Sequence, residues 1–360
     1  MKEILDIKDI LFKSRDFNVA IQKVPDKEKI VYFFLNDVKK YLEALNNLKD
    51  ALNIGKISDG LEKRLFSETN CILRKADSIT SPINDRVVVK RIKEMFRRIV
   101  GELVYESELV RRAYIKPRGY AGDFETIESI YNNHPSSKGI GLYLEKYFLN
   151  DEYLLAVRNR KEMMKKKLAD FIIENIMAEI DILNIASGPS REIKELFLVD
   201  RFVTDKKINF TLVDQDGDAL RFSKVNLDKI PKNINFRFIK ENVLNFSSNF
   251  NKFAKVLGEF DLIYSIGLAD YIPESLLGEL IKFCFDLLKI KGKLVIAHKN
   301  VKTYKSLAPD WFCDWKFHAR DKIDLSSIIE KFLPKDRFEI SIGDEQTKHI
   351  FFVEITRKSK

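Results

Sequence analysis

Apolar positions in the first half of the chain recur at three- and four-residue steps. Ile30, Phe33, Phe34, Val38, Tyr41, Leu42 and Leu45 fall on one stripe of an amphipathic helix that Asp26 can cap. A second helix is predicted from Ser58 through Leu61, Leu65 and Ile72, and Ser81-Pro82 punctuates the chain after it. A third starts near Asp85, with Val88, Ile92, Met95, Phe96, Ile99 and Leu103 on its buried face. A fourth runs from about Glu152 to Ile180, so residues 1–180 read as helical.

From Asp181 the period changes. Short apolar runs (DILNIA, NFTLVDQD, NINFRFIKENV, FDLIYSIG, GKLVIAHKN) alternate with helical or loop-and-helix stretches. Strands alternating with helices imply a parallel sheet covered on both faces. The closing pair, RFEISIG and HIFFVEITRK, flanks a Gly-Asp loop and predicts an antiparallel hairpin. The expected organisation is a helical N-terminal or cap domain over 1–150 and an α/β domain over 151–360, with 150–180 as a connecting helix.

Composition narrows the class. Of 360 residues, 45% are apolar and 32% charged, as in globular rather than disordered chains. The net charge of +9 is spread evenly, with 33 basic and 28 acidic side chains in 1–180 against 30 and 26 in 181–360. There is no basic tail, and specific nucleic-acid binding is not expected. Three cysteines at no ligand spacing argue against a disulfide framework or structural zinc. No two of the four histidines stand at a helical metal-binding spacing, so no metal site is expected. The start, MKEILDIKDILFKSRD, carries charges every few residues and does not read as a secretory signal. No run approaches the roughly 20 apolar residues of a membrane span, and the expected location is the cytoplasm.

In an open α/β sheet, ligands bind beyond the carboxyl ends of the strands. The first predicted strand ends in Asn184-Ile185-Ala186-Ser187-Gly188-Pro189-Ser190, small residues that let backbone approach a ligand. Asp214, followed by Gln215, ends the second and can accept both hydroxyls of a ribose. Asn242 and Val243 after the third offer an amide and an apolar flank to an adenine. Ser265 and Gly267 open the loop after the fourth. Turn, acid, amide and loop converge on one edge.

This pattern resembles class I S-adenosylmethionine-dependent methyltransferases over about residues 175–358. The resemblance implies a Rossmann-like sheet, mostly parallel with a terminal antiparallel strand, binding S-adenosyl-L-methionine and releasing S-adenosyl-L-homocysteine. Against the usual acid-x-Gly-x-Gly-x-Gly, Asn184 stands for the acid, Ala186 for the first glycine and Ser190 for the third. A Rossmann dehydrogenase would carry G-x-G-x-x-G near such a turn, which here has one glycine.

A narrower likeness runs over about residues 105–355. Lys116-Pro117-Arg118-Gly119-Tyr120-Ala121-Gly122-Asp123, Arg158-Asn159-Arg160, Gly188-Pro189, Asp214-Gln215-Asp216, Tyr264 to Tyr271, and Asp314-Trp315 with Arg320 follow in this order. Together they resemble the bacterial methyltransferases of extracellular-factor, 3-hydroxypalmitic acid methyl ester biosynthesis. That likeness implies a 3-hydroxy fatty acid methylated on its carboxylate. Ala269 stands where Phe is expected, and His298-Lys299 where Gly-Asn is expected.

Candidate bases or orienters are Tyr120, Asp123, Asp270, Tyr271 and His298, and Asp123 can also cap the helix ETIESIY. Arg118, Tyr120 and Arg160 are candidate cofactor contacts, and either arginine can instead grip an acceptor carboxylate. Trp311 and Trp315 read as core or lid packing. One alternative is N-methylation of an amino acid or small amine, held by Tyr120, Asp123, Asp270 and Tyr271. Another is a non-catalytic cofactor-binding scaffold. The helix from Arg86 to Arg98, with Lys90, Arg91, Lys93 and Arg97 against Glu94, reads as a solvated face or as a docking surface for an acidic carrier protein, a membrane surface or, last, RNA. The expected partner is otherwise a small-molecule acceptor, with a homodimer open.

Overall fold

The structure is a computed structural model that describes residues 7–55, 59–245 and 250–359. Ser58, the expected start of the second helix, lies outside them. The chain begins with helices α1 (Ile7–Lys13), α2 (Arg15–Ile21), α3 (Lys27–Tyr32), α4 (Lys39–Asn53), α5 (Asp59–Thr80), α6 (Arg86–Val104), α7 (Glu108–Ile115), α8 (Phe124–Asn132) and α9 (Gly139–Leu149). It continues as α10 (Glu152–Glu174), β1 (Glu179–Ile185), α11 (Arg191–Lys194), β2 (Lys207–Asp214), α12 (Gly217–Leu227) and β3 (Ile234–Lys240). Then follow α13 (Phe250–Leu257), β4 (Phe260–Ser265), α14 (Glu274–Asp286), β5 (Leu288–Lys299), α15 (Leu307–Cys313), α16 (Lys322–Phe332), β6 (Phe338–Asp344) and β7 (Ile350–Arg357). Among the described residues no helix is long and apolar enough to cross a membrane.

Two compact units result. One is Met1–Asp151 with Ser306–Lys316; the other is Glu152–Lys305 with Phe317–Lys360. The stretch 306–316, inside the expected α/β domain by sequence order, packs with the helical unit.

In the helical unit the predicted stripe from Ile30 to Leu45 is buried at every position. It is not one regular helix, because a π-helical turn over Phe33–Val38 separates α3 from α4. The wider turn falls where two successive phenylalanines both face inward. Phe33 stacks on Phe96 at 6.4 Å, and Phe34 meets Phe17 edge-on at 5.4 Å. Asp85 caps α6 as expected, accepting from the amides of Val87 and Val88. Cations and a hydroxyl of this unit donate to carbonyls at the end of α15. Arg97 donates to the Asp310 and Trp311 carbonyls at 3.1 and 3.3 Å, and the Tyr105 hydroxyl donates to Phe312 at 3.1 Å. Lys116 donates to the Asp314 carbonyl at 2.8 Å. Trp311 is buried against the edge of Phe96, consistent with the packing role read for it.

Four basic side chains of α6 are ion-paired. Lys93 pairs with Asp310, Arg97 with Asp314, and Lys90 and Arg91 with Glu94. Arg86 and Arg98 alone of the six make no ion pair among the described residues. Most of the charge on this helix therefore braces its own unit.

The second unit is a seven-stranded sheet in the order β3-β2-β1-β4-β5-β7-β6. Strands β1 to β5 are parallel, while β7 runs antiparallel to both β5 and β6. This is the expected Rossmann-like α/β sheet, mostly parallel with a terminal antiparallel strand. Helix α10 stops at Glu174, short of the expected Ile180. Its end is marked by Asn175, whose side-chain oxygen accepts from the Met177 amide at 2.9 Å, and residues from Glu179 pair with β2 instead. The order β2-β1-β4-β5 brings the carboxyl ends of the parallel strands to one edge.

Gly141 in α9 gives a check on packing in the helical unit. A methyl group there would fall inside van der Waals contact with the Glu106 backbone carbonyl. Gly141→Ala is expected to destabilise the protein by about 1–3 kcal/mol in urea unfolding, because backbone cannot yield as a side-chain tip can.

Candidate functional site

The turn after β1 is built from left-handed backbone. Ala186, Gly188 and Ser190 have φ of 52°, 52° and 48°. These are the three positions at which the resemblance expects glycine, and one of them is glycine. Four bonds hold it. The Ser187 amide donates to the Val213 carbonyl at 3.1 Å, and the Ser190 amide to the Ser187 carbonyl at 3.1 Å. The Gly188 amide donates to Asp214 Oδ2 at 2.8 Å, and the Ser223 hydroxyl to the Gly188 carbonyl at 2.9 Å. A Cβ on Gly188 would meet nothing within 4 Å, so the turn faces open space.

Asp214 is buried. Its second oxygen accepts the Asp216 amide at 2.9 Å, and Asp216 in turn caps α12. Burial pushes its carboxyl above the ordinary range, although amides of Asp216, Gly188 and Gln215 favour the ionised form. A carboxylate has about four acceptor positions, so capacity remains for a hydroxyl ligand. Gln215 is exposed beside it. At the end of β3, the Asn242 side-chain oxygen accepts the Leu244 amide at 3.0 Å. Val243 belongs to the core cluster with Ile185 and Val213, so the expected adenine flank is first a core residue. Ser187 and Ser265, at the ends of β1 and β4, are buried with hydroxyls that have no hydrogen-bond partner among the described residues. Buried hydroxyls are normally satisfied. Arg160 on α10 reaches the same loop, with Nη2 3.7 Å from where a Cβ on Gly267 would stand.

The acid absent from position 184 has a counterpart that sequence reasoning did not single out. Glu192 on α11 is buried and accepts from Asn184 Nδ2 at 3.2 Å and from the Tyr264 hydroxyl at 2.8 Å. Burial drives its carboxyl upward, against the bond from Tyr264 and the charge of Lys161. An acid eight residues past Asn184 is visible in the sequence, but the fold alone brings the two together.

Two expected catalytic residues are corrected. His298 is fully buried, stacked on Phe351, and both ring nitrogens are engaged. Arg320 donates to Nε2 at 3.2 Å, so that nitrogen accepts and Nδ1 carries the hydrogen, donating to the Lys299 carbonyl at 2.7 Å. Its lone pair is taken, and it positions rather than abstracts. Arg320 also donates to the carbonyls of Ala269 and Ile272, and the Asp270 side chain accepts the Lys299 amide at 2.8 Å. Asp123, in the helical unit, is fully buried. It caps α8 through the Thr126 amide, as expected, and takes a two-pronged grip from Arg112 at 3.1 and 2.6 Å. Full burial and the ion pair with Arg112 make it a cap and an anchor rather than a base.

Arg118 and Tyr120 also lie in the helical unit. Arg118 pairs with Glu125 at 2.9 Å and lies over Phe124, and Tyr120 is half-buried. Tyr271, at the end of a 3₁₀ turn over Ala269–Tyr271, is half-buried with its ring 5.6 Å from Phe317. The sheet unit thus carries Arg160, Ala186, Ser187, Gly188, Asp214, Gln215, Asn242, Val243, Ser265, Gly267, Asp270, Tyr271 and His298. The remaining candidates belong to the other unit.

No protein-family model matches the chain, and no curated protein does. Among solved structures it is similar to a possible exported protein from Bordetella parapertussis, at 16% identity and a TM-score of 0.56, over 80% of this chain and 94% of that one. That likeness is one of fold. Magnesium protoporphyrin IX methyltransferase (ChlM) from Synechocystis PCC 6803 with bound SAH matches at 10% identity and a TM-score of 0.46, over 70% of this chain and 100% of that one. The N-methyltransferase NodS from Bradyrhizobium japonicum WM9 with S-adenosyl-L-homocysteine matches at 13% and 0.40, over 66% and 98%.

Replacing either strained residue with glycine tests the turn. Ala186→Gly and Ser190→Gly are each expected to raise stability by roughly 0.5–1 kcal/mol in denaturant unfolding, relief of left-handed strain outweighing the entropy given to the unfolded chain. Glu192 sets a pH dependence. Because its folded carboxyl is raised, its contribution is fully present below the unfolded value of about 4.3 and is lost as pH climbs through the folded value. The melting temperature of Glu192→Gln, relative to the unaltered protein, is therefore expected to rise as pH increases from acid to neutral. A difference independent of pH would show that Glu192 ionises as readily folded as unfolded.

Proposed function

We propose that the chain is an S-adenosylmethionine-dependent methyltransferase acting on a small molecule, methylating a carboxylate such as that of a hydroxy fatty acid. The observation that carries the reading is the left-handed turn at Ala186, Gly188 and Ser190, braced by Asp214 and flanked by the unpartnered hydroxyls of Ser187 and Ser265. Open space over Gly188 and remaining acceptor capacity on Asp214 fit a nucleoside with its ribose hydroxyls on that carboxylate. The methionine sulfonium, when bound, supplies an electrophilic methyl group.

The chain's part in such a reaction is placement. Holding acceptor and donor in line can supply about 7–11 kcal/mol of the barrier reduction. An ionised carboxylate needs no general base, whereas an alcohol or ammonium acceptor does. The commitment of His298 and Asp123 to other partners supports the carboxylate. Arg160, over the loop after β4, is the cation of the sheet unit suited to orienting a carboxylate, whether of the acceptor or of the cofactor's methionine.

Calorimetric titration with S-adenosylmethionine and S-adenosylhomocysteine tests the reading. Binding is expected for the unaltered protein, weakened by at least about tenfold in Asp214→Ala, about 1.4 kcal/mol. Circular dichroism of the variant checks that its fold persists. Absence of binding to the unaltered protein would overturn the proposal.

A further inference from the structure

The carboxyl end of β5 holds a lysine inside a group of aromatic rings. Lys299 is the last residue of the strand, and its side chain is buried. Its ammonium lies 4.7 Å from the ring centroid of Phe317 and 5.3 Å from those of Tyr153 and Tyr304. All three distances fall within the roughly 6 Å over which an aromatic face attracts a cation. The rings brace one another. Tyr153 and Tyr304 stack at 5.7 Å, and Phe317 meets Tyr153 edge-on at 5.0 Å. Tyr271 backs Phe317 at 5.6 Å, and His349 backs Tyr304 at 5.1 Å.

The three rings that face the ammonium come from separate places: the first turn of α10 and the loops on either side of α15. Their convergence on one ammonium is the arrangement by which proteins recognise organic cations. It stands at the sheet edge that also carries Ser265 and Gly267. The Lys299 amide, donating to Asp270, fixes the strand end from which the ammonium is presented.

We propose that this aromatic box is a cation-recognition site whose ligand is tethered to the chain. Lys299 occupies it and bars ammonium-bearing acceptors from that part of the edge. The second statement rests on the methyltransferase reading and narrows it, from amines toward anionic or neutral acceptors.

Titration with tetramethylammonium, followed through tyrosine ring resonances, tests the box. Lys299→Ala vacates it and is expected to bind the probe at least about tenfold more tightly than the unaltered protein. Lys299→Met, which refills the box with an uncharged chain, is expected to bind no more tightly than the unaltered protein. Equal binding by the Ala variant and the unaltered protein would overturn the proposal. Should the Ala variant fail to fold, the unaltered protein gives a second reading. The ε-methylene protons of Lys299, identified by their loss in Lys299→Met, are expected upfield of the other lysines through ring currents. A signal at the ordinary lysine position would equally overturn the box. Neither measurement uses the cofactor, so failure to bind S-adenosylmethionine would defeat the enzymatic reading, and with it the exclusion of amine acceptors, and leave the box itself standing.

Discussion

The bond from the Gly188 amide to the Asp214 carboxylate ties the ends of the two innermost strands of the sheet's first half. It is one of the bonds that hold a five-residue turn in which three residues have positive φ. Left-handed backbone at a residue with a side chain is strained by about 1–2 kcal/mol, and it persists where surrounding bonds over-determine it. Here the Val213 carbonyl, the Ser223 hydroxyl and Asp214 do so together. Only one of the three positive-φ residues is glycine, the residue that takes such backbone without strain. A backbone shape kept at an energetic cost points to a use for that shape.

A second set of buried polar groups fixes the far side of the same edge. Arg320 binds two carbonyls of the β4 loop and the ring of His298, and the His318 amide donates to the Asp270 carbonyl. Loop, strand end and the segment after α15 are thereby one hydrogen-bonded body. Buried networks of this kind are rigid when fully satisfied. A rigid rim around an open turn suits a reaction that depends on alignment.

The alternation of short apolar runs with helical stretches made the sheet legible, and Asp214 and Gly188 could be placed because strand ends carry their own signals. Other features were not legible for physical reasons. The π turn at Phe33–Val38 leaves the buried stripe unchanged, so periodicity reads straight through it. Position alone marks His298 as a functional group at a strand end. What decides its role is Arg320, twenty-two residues on, which takes its lone pair. Asp123 was readable as a cap, yet the Arg112 that removes it from chemistry lies a helix earlier. Lys299 looked only like a departure from pattern, because its aromatic partners are scattered over more than 160 positions of sequence.

The stretch Ser306–Lys316 belongs by contacts to the helical unit, although both its flanks belong to the sheet. The chain therefore passes between the units three times, and neither unit is a single continuous piece. A protease cutting once at the 151/152 junction would release residues 1–151 from the covalent chain, while the rest of their own unit, the excursion, stayed on the other fragment. A sheet unit expressed from residue 152 onward would carry Trp311 and Phe312 away from the Phe96 ring that meets them. Shuffling of one half onto another protein, a common fate of domains joined by a single linker, is closed to this chain unless the excursion is rebuilt.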